Sequence, residues 1–349
     1  MIESLRPCIR AMAGYVPGEQ PRDGAFIKLN TNENPYPPSP RVFEALREAL
    51  TGDRLRKYPD PTGTHFRQTA GRVLGVDPDG ILIGNGSDDI LTILTRAFVP
   101  EGGLIVSPTP SYLLYRTLAN LQGARLQTVP FTEDWSLPEP WPIGDADLTF
   151  LANPNSPSGT TVSRTEINRL RERMDGPLVV DEAYADFAEE NALDLVKLGT
   201  KGVVVTSSFS KSYALAGIRF GFAVGDPELI QQLMKVKDSY NCDVLSLTAA
   251  AAAIEDQEYF RTIRARILAT RERMEKRLAE LGFLVCPSQA NFVWCRRTDR
   301  AVKPIYEELK KRNILVRYMN YDGYGDGLRI SVGTEEEIDR LLSELKAIL

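Results

Sequence analysis

The sequence predicts an α/β fold built on a parallel sheet with helices on both faces. Short apolar runs, such as those at 177–180 and 203–205, alternate along the chain with amphipathic segments of helical period. The runs contain almost no polar residues, which is typical of parallel strands buried on both faces. Several runs lead into clusters of polar residues and glycines, and in such sheets ligands bind at the carboxyl ends of the strands.

The composition limits the classes of function. With 349 residues the chain is long enough for two domains, and its 43% hydrophobic and 26% charged residues are ordinary for a globular protein. The net charge of -5 gives no electrostatic basis for binding nucleic acid. No apolar run approaches the roughly 18 residues of a membrane span, and the first residues lack the apolar segment of a signal peptide. We therefore expect neither nucleic acid nor a membrane as partner.

The cysteines and the single histidine argue against a metal centre. The 4 cysteines are scattered, without a CxxC pair, and His65 is the sole histidine. This pattern is not that of a disulfide framework or a zinc site, and it predicts a reducing, cytoplasmic location. We expect no metal, and His65 itself is interpreted as a capping or surface residue in the first turn of a helix.

The chain divides into an arm, a large domain and a small domain. We predict an irregular N-terminal arm over 1–30, a large domain over 31–240 and a small α+β domain over 241–349, with the boundary between the two domains in the interval 235–260. Predicted strands of the large domain lie at 80–83, 104–106, 125–129, 147–152, 177–180, 203–205 and 220–224, and its helices at 40–51, 64–74, 89–98, 164–174 and 227–240. The small domain is predicted to have strands at 283–286, 292–295, 314–317 and 328–332, and helices at 245–254, 258–281, 304–312 and 334–349, the last opened by a capping box of Thr334 and Glu337.

A lysine stands between two of the predicted strands. Lys211 lies in a serine-rich loop between the apolar runs 202–205 and 220–224, and Arg219 follows it. A buried ammonium group is costly, so such a lysine is paired, or it has exchanged its charge for a covalent bond, as in a Schiff base to an aldehyde cofactor. On this motif alone, a solvated loop lysine is the competing interpretation.

The turn at 84–88 is a candidate phosphate site. Glycines there let the backbone approach a ligand, and a helix follows at once, capped in our prediction by Ser87 or Asp88. The free N–H groups and the positive dipole end of a helix N-terminus favour an anion. The pattern has neither the third glycine of a dinucleotide site nor the Gly-Lys-Ser/Thr of a P-loop.

Together, the polar strand ends contain the groups that a pyridoxal phosphate site needs. Lys211 could form the Schiff base, and Asp181 could face the pyridinium nitrogen, although a strand-end loop acid explains Asp181 equally well by position. Tyr184 could donate a hydrogen bond to the ring hydroxyl, and Tyr112 could stack on the ring or belong to the core. The candidates for holding the phosphate are Gly86, Ser87, Asp88, Ser208, Ser210 and Arg219.

These motifs resemble a known family. The segments Gly-Asn-Gly-Ser-Asp (84–88), Asn-Pro-Asn-Ser-Pro-Ser-Gly (153–159), Asp-Glu-Ala-Tyr (181–184) and the run 208–221 around Lys211 resemble fold-type I aminotransferases. The segments 29–37, 58–61, 314–317 and 328–333 are most similar to histidinol-phosphate aminotransferases. The resemblance implies a mostly parallel seven-stranded sheet sandwiched by helices, a smaller C-terminal α+β domain, and pyridoxal phosphate as cofactor. It also implies transamination of L-histidinol phosphate with 2-oxoglutarate, which gives imidazole acetol phosphate and L-glutamate in histidine biosynthesis.

The resemblance also implies roles for particular residues. Lys211 would be the Schiff-base lysine, with Asp181, Tyr184 and Tyr112 around the cofactor ring and the phosphate candidates named above at the phosphate. Tyr58 would reach the cofactor phosphate of the other subunit, which implies a homodimer with shared sites. The chain departs from the family at Ser156, where an asparagine usually bonds the ring hydroxyl; either Asn155 or Ser156 takes that role, and we favour Asn155.

For the substrate, the resemblance places Arg329 against an anionic group. A guanidinium fork suits a carboxylate or a phosphate. Arg317, Tyr15 and Asn32 would complete a phosphate pocket, although a surface charge at a strand edge also explains Arg317. Three alternatives remain: an aromatic amino-acid aminotransferase, a decarboxylase of an amino-acid phosphate, and a non-catalytic regulatory domain, which the lack of a basic DNA-binding segment argues against.

Overall fold

The computed structural model describes residues 2–12, 14, 18–20 and 26–349, and in this part of the chain it contains two sheets. The larger sheet has seven strands in the order β2-β8-β7-β6-β5-β3-β4 and the smaller has five in the order β1-β11-β12-β10-β9. The strands are β1 Ile27–Leu29, β2 Ile81–Gly84, β3 Leu104–Thr109, β4 Arg125–Pro130, β5 Leu148–Ala152, β6 Leu178–Asp181, β7 Val203–Ser208, β8 Gly221–Val224, β9 Leu284–Val285, β10 Phe292–Arg296, β11 Ile314–Tyr321 and β12 Gly325–Ser331.

Helices fill the connections between the strands. They are α1 Pro7–Ala11, α2 Pro40–Ala49, α3 Gly52–Leu55, α4 Thr64–Leu74, α5 Ser87–Phe98, α6 Leu114–Gln122, α7 Arg164–Arg171, α8 Leu193–Lys197, α9 Pro227–Leu233, α10 Val244–Glu255, α11 Gln257–Glu280, α12 Lys303–Lys311 and α13 Glu335–Ile348. Short 3-10 turns lie at Ile2–Ser4, Pro78–Gly80, Ala185–Phe187 and Ala216–Ile218. Among the described residues, no helix is both long enough and apolar enough to span a bilayer.

The seven-stranded sheet is mostly parallel, as the family resemblance implies. Only β8 runs against its neighbours β2 and β7, whereas β3 to β7 are parallel to one another. The register aligns Ala152 with Asp181 and Asp181 with Thr206. β5 and β6 therefore end level with each other, and β7 continues past them to Ser208, so the polar residues at these three carboxyl ends meet at one edge of the sheet.

Alternating residues of the central strands are buried on opposite faces of this sheet. Val179 and Val204 belong to a core that includes Ile90 and Leu94 of α5. Val180 and Val205 belong to a second core on the other face, which α7 completes. Burying one such side chain stabilises the fold by about 1.5–3 kcal/mol. This two-sided burial explains why the strands read as continuous apolar runs, and it confirms the predicted α/β architecture.

The smaller sheet is covered by helices on one face. Ile314 and Val316 of β11 pack with residues of α11, α12 and α13 in one core. Because side chains alternate along a strand, Arg317, Met319 and Tyr321 of β11 point to the other face. The predicted capping box of Thr334 and Glu337 is confirmed at the start of α13.

Three local predictions are wrong. The helix predicted over 227–240 ends at Leu233, because Asn241 donates to Ile83 O and to the Asp89 carboxylate and holds the following segment in turns against the large sheet. The first helical residue of α5 is Ser87, and Gly86 precedes it, so neither Ser87 nor Asp88 caps that helix through its side chain. The predicted irregular arm contains α1 and also β1, which forms only because β11 offers it a parallel partner.

Helix α10 packs on the large sheet rather than the small one. Its residues Ala249 and Ala250 share a core with Val42 of α2, Phe66 of α4 and Phe220. The small alanine side chains let these helices approach closely, and the next helix, α11, belongs to the core of the smaller sheet. The path from one core to the other therefore crosses near Asp256, the residue between α10 and α11.

Candidate active site

A cavity of about 250 Å³ opens at the carboxyl ends of β5, β6 and β7, facing the uncovered side of the smaller sheet. Most of the predicted site residues line it. They are Ser87, Asp88, Tyr112, Ser156, Asp181, Tyr184, Ser208, Ser210, Lys211, Arg219, Arg317 and Arg329.

Asp181 is a buried acid at the bottom of this cavity. It is the last residue of β6 and 5% exposed. Tyr115 Oη donates to one carboxylate oxygen at 2.9 Å, and Thr206 Oγ1 donates to the other at 3.2 Å. Burial raises the pKa of Asp181 from 3.8 to about 6, although these two hydrogen bonds lower it. No ion pair to Asp181 occurs within the described residues, so the site can accept a positive group here.

Lys211 lies at the side of the cavity, between the large sheet and the segment after β1. Its Nζ donates to Thr31 O at 3.0 Å and lies 5.7 Å from the centroid of the Tyr184 ring. The Asn34 amide donates at 3.0 Å to both Lys211 O and Ser212 O. The backbone that carries Lys211 is thereby fixed by a loop from outside the sheet, while the amine remains at the cavity surface.

An anion-binding cradle forms where the N-terminus of α5 meets the end of β7. Arg219 Nη1 donates to Ser210 Oγ at 3.2 Å, and Arg219 Nη2 lies 3.7 Å from the Asp88 carboxylate. Ser210 N donates in turn to Ser208 Oγ at 3.2 Å. A guanidinium, two hydroxyls and the free N–H groups of a helix N-terminus are the donor set that suits a phosphate.

Gly86 is required by the shape of this cradle. Its φ is +86°, a conformation that favours glycine, and a Cβ there would lie 2.7 Å from Arg219 Nη2. Gly86 itself does not line the cavity, yet its missing side chain leaves room for the guanidinium. The glycine predicted from the turn therefore acts by admitting Arg219.

Two arginines face each other at the opposite wall. Arg317 of β11 and Arg329 of β12 are directly paired in the antiparallel register. Arg329 Nη1 donates to Ser156 Oγ at 2.8 Å and Nη2 donates to Asn30 O at 3.2 Å, whereas its buried Nε has no hydrogen-bond acceptor in the described part of the chain. Two adjacent guanidinium groups that point into one cavity favour a dianionic ligand.

Asn155 and Ser156 lie in different environments, and only Ser156 lines the cavity. The Asn155 amide is buried and donates to Pro110 O at 3.1 Å and to Ser158 Oγ at 3.0 Å, away from the cavity lining. Ser156 lines the cavity and accepts from Arg329. The geometry therefore brings Ser156, and not Asn155, to the ligand side.

Two other predicted residues, Asn32 and Tyr58, do not line the cavity. Asn32 is buried, and its amide donates to Tyr184 Oη at 3.0 Å. Tyr58 is 81% exposed and stacks on Tyr240 with ring centroids 4.5 Å apart. Tyr15 lies outside the described residues.

Several residues at the site were not predicted from the sequence. Tyr115 and Thr206 hold Asp181, Thr31 accepts from Lys211, and Glu33 lines the cavity. The pKa of Glu33 lies below its ordinary value. Partial burial raises this pKa, but the hydrogen bonds from Lys28 and Thr31 and the charge of Lys28 together lower it by more. Thr206 could have been found, because it directly follows the predicted strand at 203–205, next to the strand of Asp181, and it pairs with Asp181 in register; Tyr115 gives no such signal.

Comparison with known proteins agrees with this geometry. The family model described as "Aminotransferase class I and II" matches residues 25–345. Histidinol-phosphate aminotransferase from Rhodopirellula baltica is 54% identical over 337 residues, which cover 96% of this chain and 92% of that protein. Histidinol-phosphate aminotransferase 1 from Trichormus variabilis is 46% identical over 351 residues, which cover 100% of both chains.

A solved structure gives the same result. The crystal structure of histidinol-phosphate aminotransferase from Sinorhizobium meliloti in complex with pyridoxal-5'-phosphate matches with a TM-score of 0.87 and 27% identity, covering 98% of this chain and 96% of that one. The chain therefore belongs to the class I and II aminotransferases and, within them, to the histidinol-phosphate aminotransferase family.

Proposed function

We propose that this enzyme transfers the amino group of L-histidinol phosphate to 2-oxoglutarate, in histidine biosynthesis, with pyridoxal phosphate as cofactor. The observation that carries the proposal is the pairing of Arg317 with Arg329 in the cavity that also holds Lys211 and Asp181. A phosphate monoester carries close to two negative charges at neutral pH, and two guanidinium groups match it. The names of the full-length relatives support the same substrate.

The residues present fit the cofactor. The buried carboxylate of Asp181, without an ion pair among described residues, suits a protonated ring nitrogen, and the cradle of Ser208, Ser210 and Arg219 suits the cofactor phosphate. Lys211 would attach the cofactor aldehyde. When bound, pyridoxal phosphate supplies an electron sink for the carbon that carries the substrate amine.

The chain's own residues then bind the substrate and move a proton. Arg317 and Arg329 would hold the substrate phosphate and so place the amine-bearing carbon near Lys211. Nζ of Lys211 would take the proton from that carbon and deliver it to the carbon that was the cofactor's aldehyde. Asp181 would keep a proton on the cofactor's ring nitrogen, because its charge in a low-dielectric site favours the cationic form.

For the ring hydroxyl we assign Tyr184 and Ser156 rather than Asn155. The supporting observation is that Asn155 is engaged with Pro110 and Ser158, whereas Ser156 lines the cavity. Asn32 would orient Tyr184 through their 3.0 Å hydrogen bond, and a direct contact of Asn32 with substrate stays a prediction.

The test of function is a comparison of amino donors. The purified enzyme is incubated with 2-oxoglutarate and, in turn, histidinol phosphate, phenylalanine or threonine phosphate, and glutamate and carbon dioxide are measured. We expect glutamate to form fastest with histidinol phosphate. Faster reaction with phenylalanine would favour an aromatic aminotransferase, and carbon dioxide from threonine phosphate would favour a decarboxylase; either result would refute the proposal.

The role of Lys211 has a spectroscopic test. Lys211→Ala should lose the visible absorbance band of the bound cofactor and the transaminase activity. Lys201→Ala, a change at an exposed lysine after α8, is the matched control and should keep both. A band that persists unchanged in Lys211→Ala would place the attachment elsewhere.

We further propose a homodimer in which Tyr58 completes the partner's site. Tyr58 is 81% exposed, and Phe43, Leu50 and Leu55 expose apolar surface on the same segment of chain, at 43%, 57% and 55%. A surface of this kind suits an interface between subunits. Light scattering should give twice the chain mass of 38.9 kDa.

Shared sites can be tested by mixing two defective subunits. In a mixed dimer of Lys211→Ala and Tyr58→Ala chains, one site has both native residues, so cofactor binding at that site should match the wild type. If Tyr58 instead binds the cofactor of its own chain, cofactor binding in the mixed dimer would equal the sum of the binding by the two variants measured separately.

Domain organisation and location complete the proposal. We place the division between the large and small domains near Asp256, within the predicted interval, because α10 packs on the large sheet and α11 on the small one. We assign a cytoplasmic location because all the cysteines are free thiols, which a reducing compartment preserves.

A further inference from the structure

One wall of the cavity is formed by two side chains that the chemistry above does not use. Met319 and Tyr321 line the cavity and follow Arg317 at alternate positions of β11, so all three point to the same face. Tyr321 Oη donates to Met319 Sδ at 3.4 Å. The two side chains therefore form one continuous, polarisable surface beside the arginine.

This wall has a rigid backing. Behind it lies Trp294, which is fully buried and stands 6.3 Å from the Tyr321 ring, centroid to centroid. Met319 is paired in register with Gly327, and a Cβ at Gly327 would lie 2.3 Å from the Trp294 ring. The glycine thus allows the indole to fill the space under the wall, and the wall cannot collapse inward.

The large domain braces the same surface from the side. Trp135 packs against Tyr324 with centroids 4.8 Å apart, and the Tyr324 hydroxyl donates to Phe131 O. Trp135, Phe131, Met319 and Tyr321 belong to one apolar cluster. The wall, which is part of the β11–β12 hairpin, is therefore held in place by a loop of the large domain.

The proposed substrate has a part that no residue discussed above receives. Histidinol phosphate carries a phosphate on one side of its amine-bearing carbon and a flat imidazole ring on the other. Residues two apart on a strand are about 7 Å apart, which is the scale of the separation between the two substituents when the phosphate is held at Arg317. A thioether and a phenol ring are surfaces on which a flat π-system packs well.

The geometry points to Met319 and Tyr321 as the wall that receives the imidazole ring of the amino donor. The inference rests on the proposed function and names the residues that determine specificity for the ring. The second substrate, glutamate or 2-oxoglutarate, has no ring and does not need the wall. Changes in the wall should therefore affect one half-reaction and spare the other.

Kinetics of the two half-reactions test this separation. Met319→Ala should raise KM for histidinol phosphate by roughly tenfold and leave KM for 2-oxoglutarate nearly unchanged. Met319→Leu, which keeps the volume, should stay close to the wild type. Asn320→Ala is the matched control, because Asn320 is exposed on the other face of the same strand. An equal rise for both substrates, or no rise for either, would overturn the inference.

A direct readout uses the wild-type enzyme with its cofactor. The protein has 6 methionines, and the methyl signal of Met319 in a methyl-¹³C-methionine sample is assigned by its loss in Met319→Leu. Histidinol phosphate should shift this signal through the ring current of its imidazole, whereas serinol phosphate, which lacks the ring, should not. Equal shifts or none would refute the role of the wall, while a wild-type enzyme that does not turn over histidinol phosphate would refute the proposed function instead.

Discussion

Replacing Asp181 by asparagine should stabilise the cofactor-free protein at neutral pH. The change removes a buried negative charge and keeps the shape of the side chain, and the amide oxygen can still accept from Tyr115. The rise of the Asp181 pKa from 3.8 to about 6, at about 1.4 kcal/mol for each pKa unit, corresponds to about 3 kcal/mol of folding free energy. Asparagine avoids most of this loss of folding free energy, because its side chain is uncharged.

The pH dependence has a defined sign. Because its pKa is raised on folding, the folded protein holds the Asp181 proton more tightly than the unfolded chain does. The penalty is therefore absent below about pH 3.8, grows as the pH rises, and is complete above about pH 6. Asp181→Asn should exceed the wild type by up to about 3 kcal/mol at pH 8, and its advantage should shrink towards pH 4.5.

Urea unfolding of the cofactor-free proteins, followed by circular dichroism at several pH values, measures this difference. Asp299→Asn is the control of opposite sign: the hydrogen bond from Arg297 holds the pKa of that exposed carboxyl below its usual range, so losing the charge should not stabilise. With pyridoxal phosphate added, the order should reverse, since only the wild type keeps the carboxylate that we propose for the ring nitrogen. An Asp181→Asn protein that is no more stable at pH 8, or whose advantage does not vary with pH, would refute the reasoning.

The remaining predictions concern the two anion sites. Gly86→Ala should weaken binding of pyridoxal phosphate, measured by absorbance titration, because the new methyl group would displace Arg219; Gly199→Ala, also at a positive φ but with open space around it, should cost stability alone. Arg329→Lys keeps the charge but loses the guanidinium fork, so KM should rise by about ten- to a hundredfold for both histidinol phosphate and glutamate. A rise for one substrate only would show that Arg329 does not serve both.

The main architecture could be predicted from the sequence because burial on both faces leaves a local signature. The runs at β6 and β7 are continuously apolar, and their polar ends identify the ligand-binding edge. The direction of a strand leaves no such local signature. β8 is as apolar as β6 and β7, yet it runs antiparallel to its neighbours. β1 could not be predicted at all, since three residues become a strand only when β11 supplies hydrogen bonds.

Some residues of the candidate site could likewise be predicted from the sequence, and others could not. Asp181 could be predicted because it ends an apolar strand, and Lys211 and Arg219 because they lie in the short polar loop between two apolar strands. Tyr115 was not found, because it lies on α6 and its hydroxyl reaches Asp181 only after that helix has packed on the sheet. Thr31 is similar: it accepts from the Lys211 amine through its backbone carbonyl, a group that every residue type carries, so its identity gives no signal.

The choice between Asn155 and Ser156 illustrates where sequence reasoning ends. An amide is the better chemical match to a ring hydroxyl, and on chemistry alone Asn155 is preferred. The structure places the two residues differently: the Asn155 amide nitrogen donates inside the loop to Pro110 and Ser158, and its buried Oδ1 has no hydrogen-bond partner among the described residues. Ser156 lines the cavity, where its hydroxyl accepts from Arg329, so the arginine that we propose for the substrate's anionic group is joined to the residue that we propose for the cofactor ring. If Ser156 takes the place of the family's asparagine, as we propose, its shorter side chain should leave more of the contact with the ring hydroxyl to Tyr184, whose own hydroxyl accepts from the Asn32 amide.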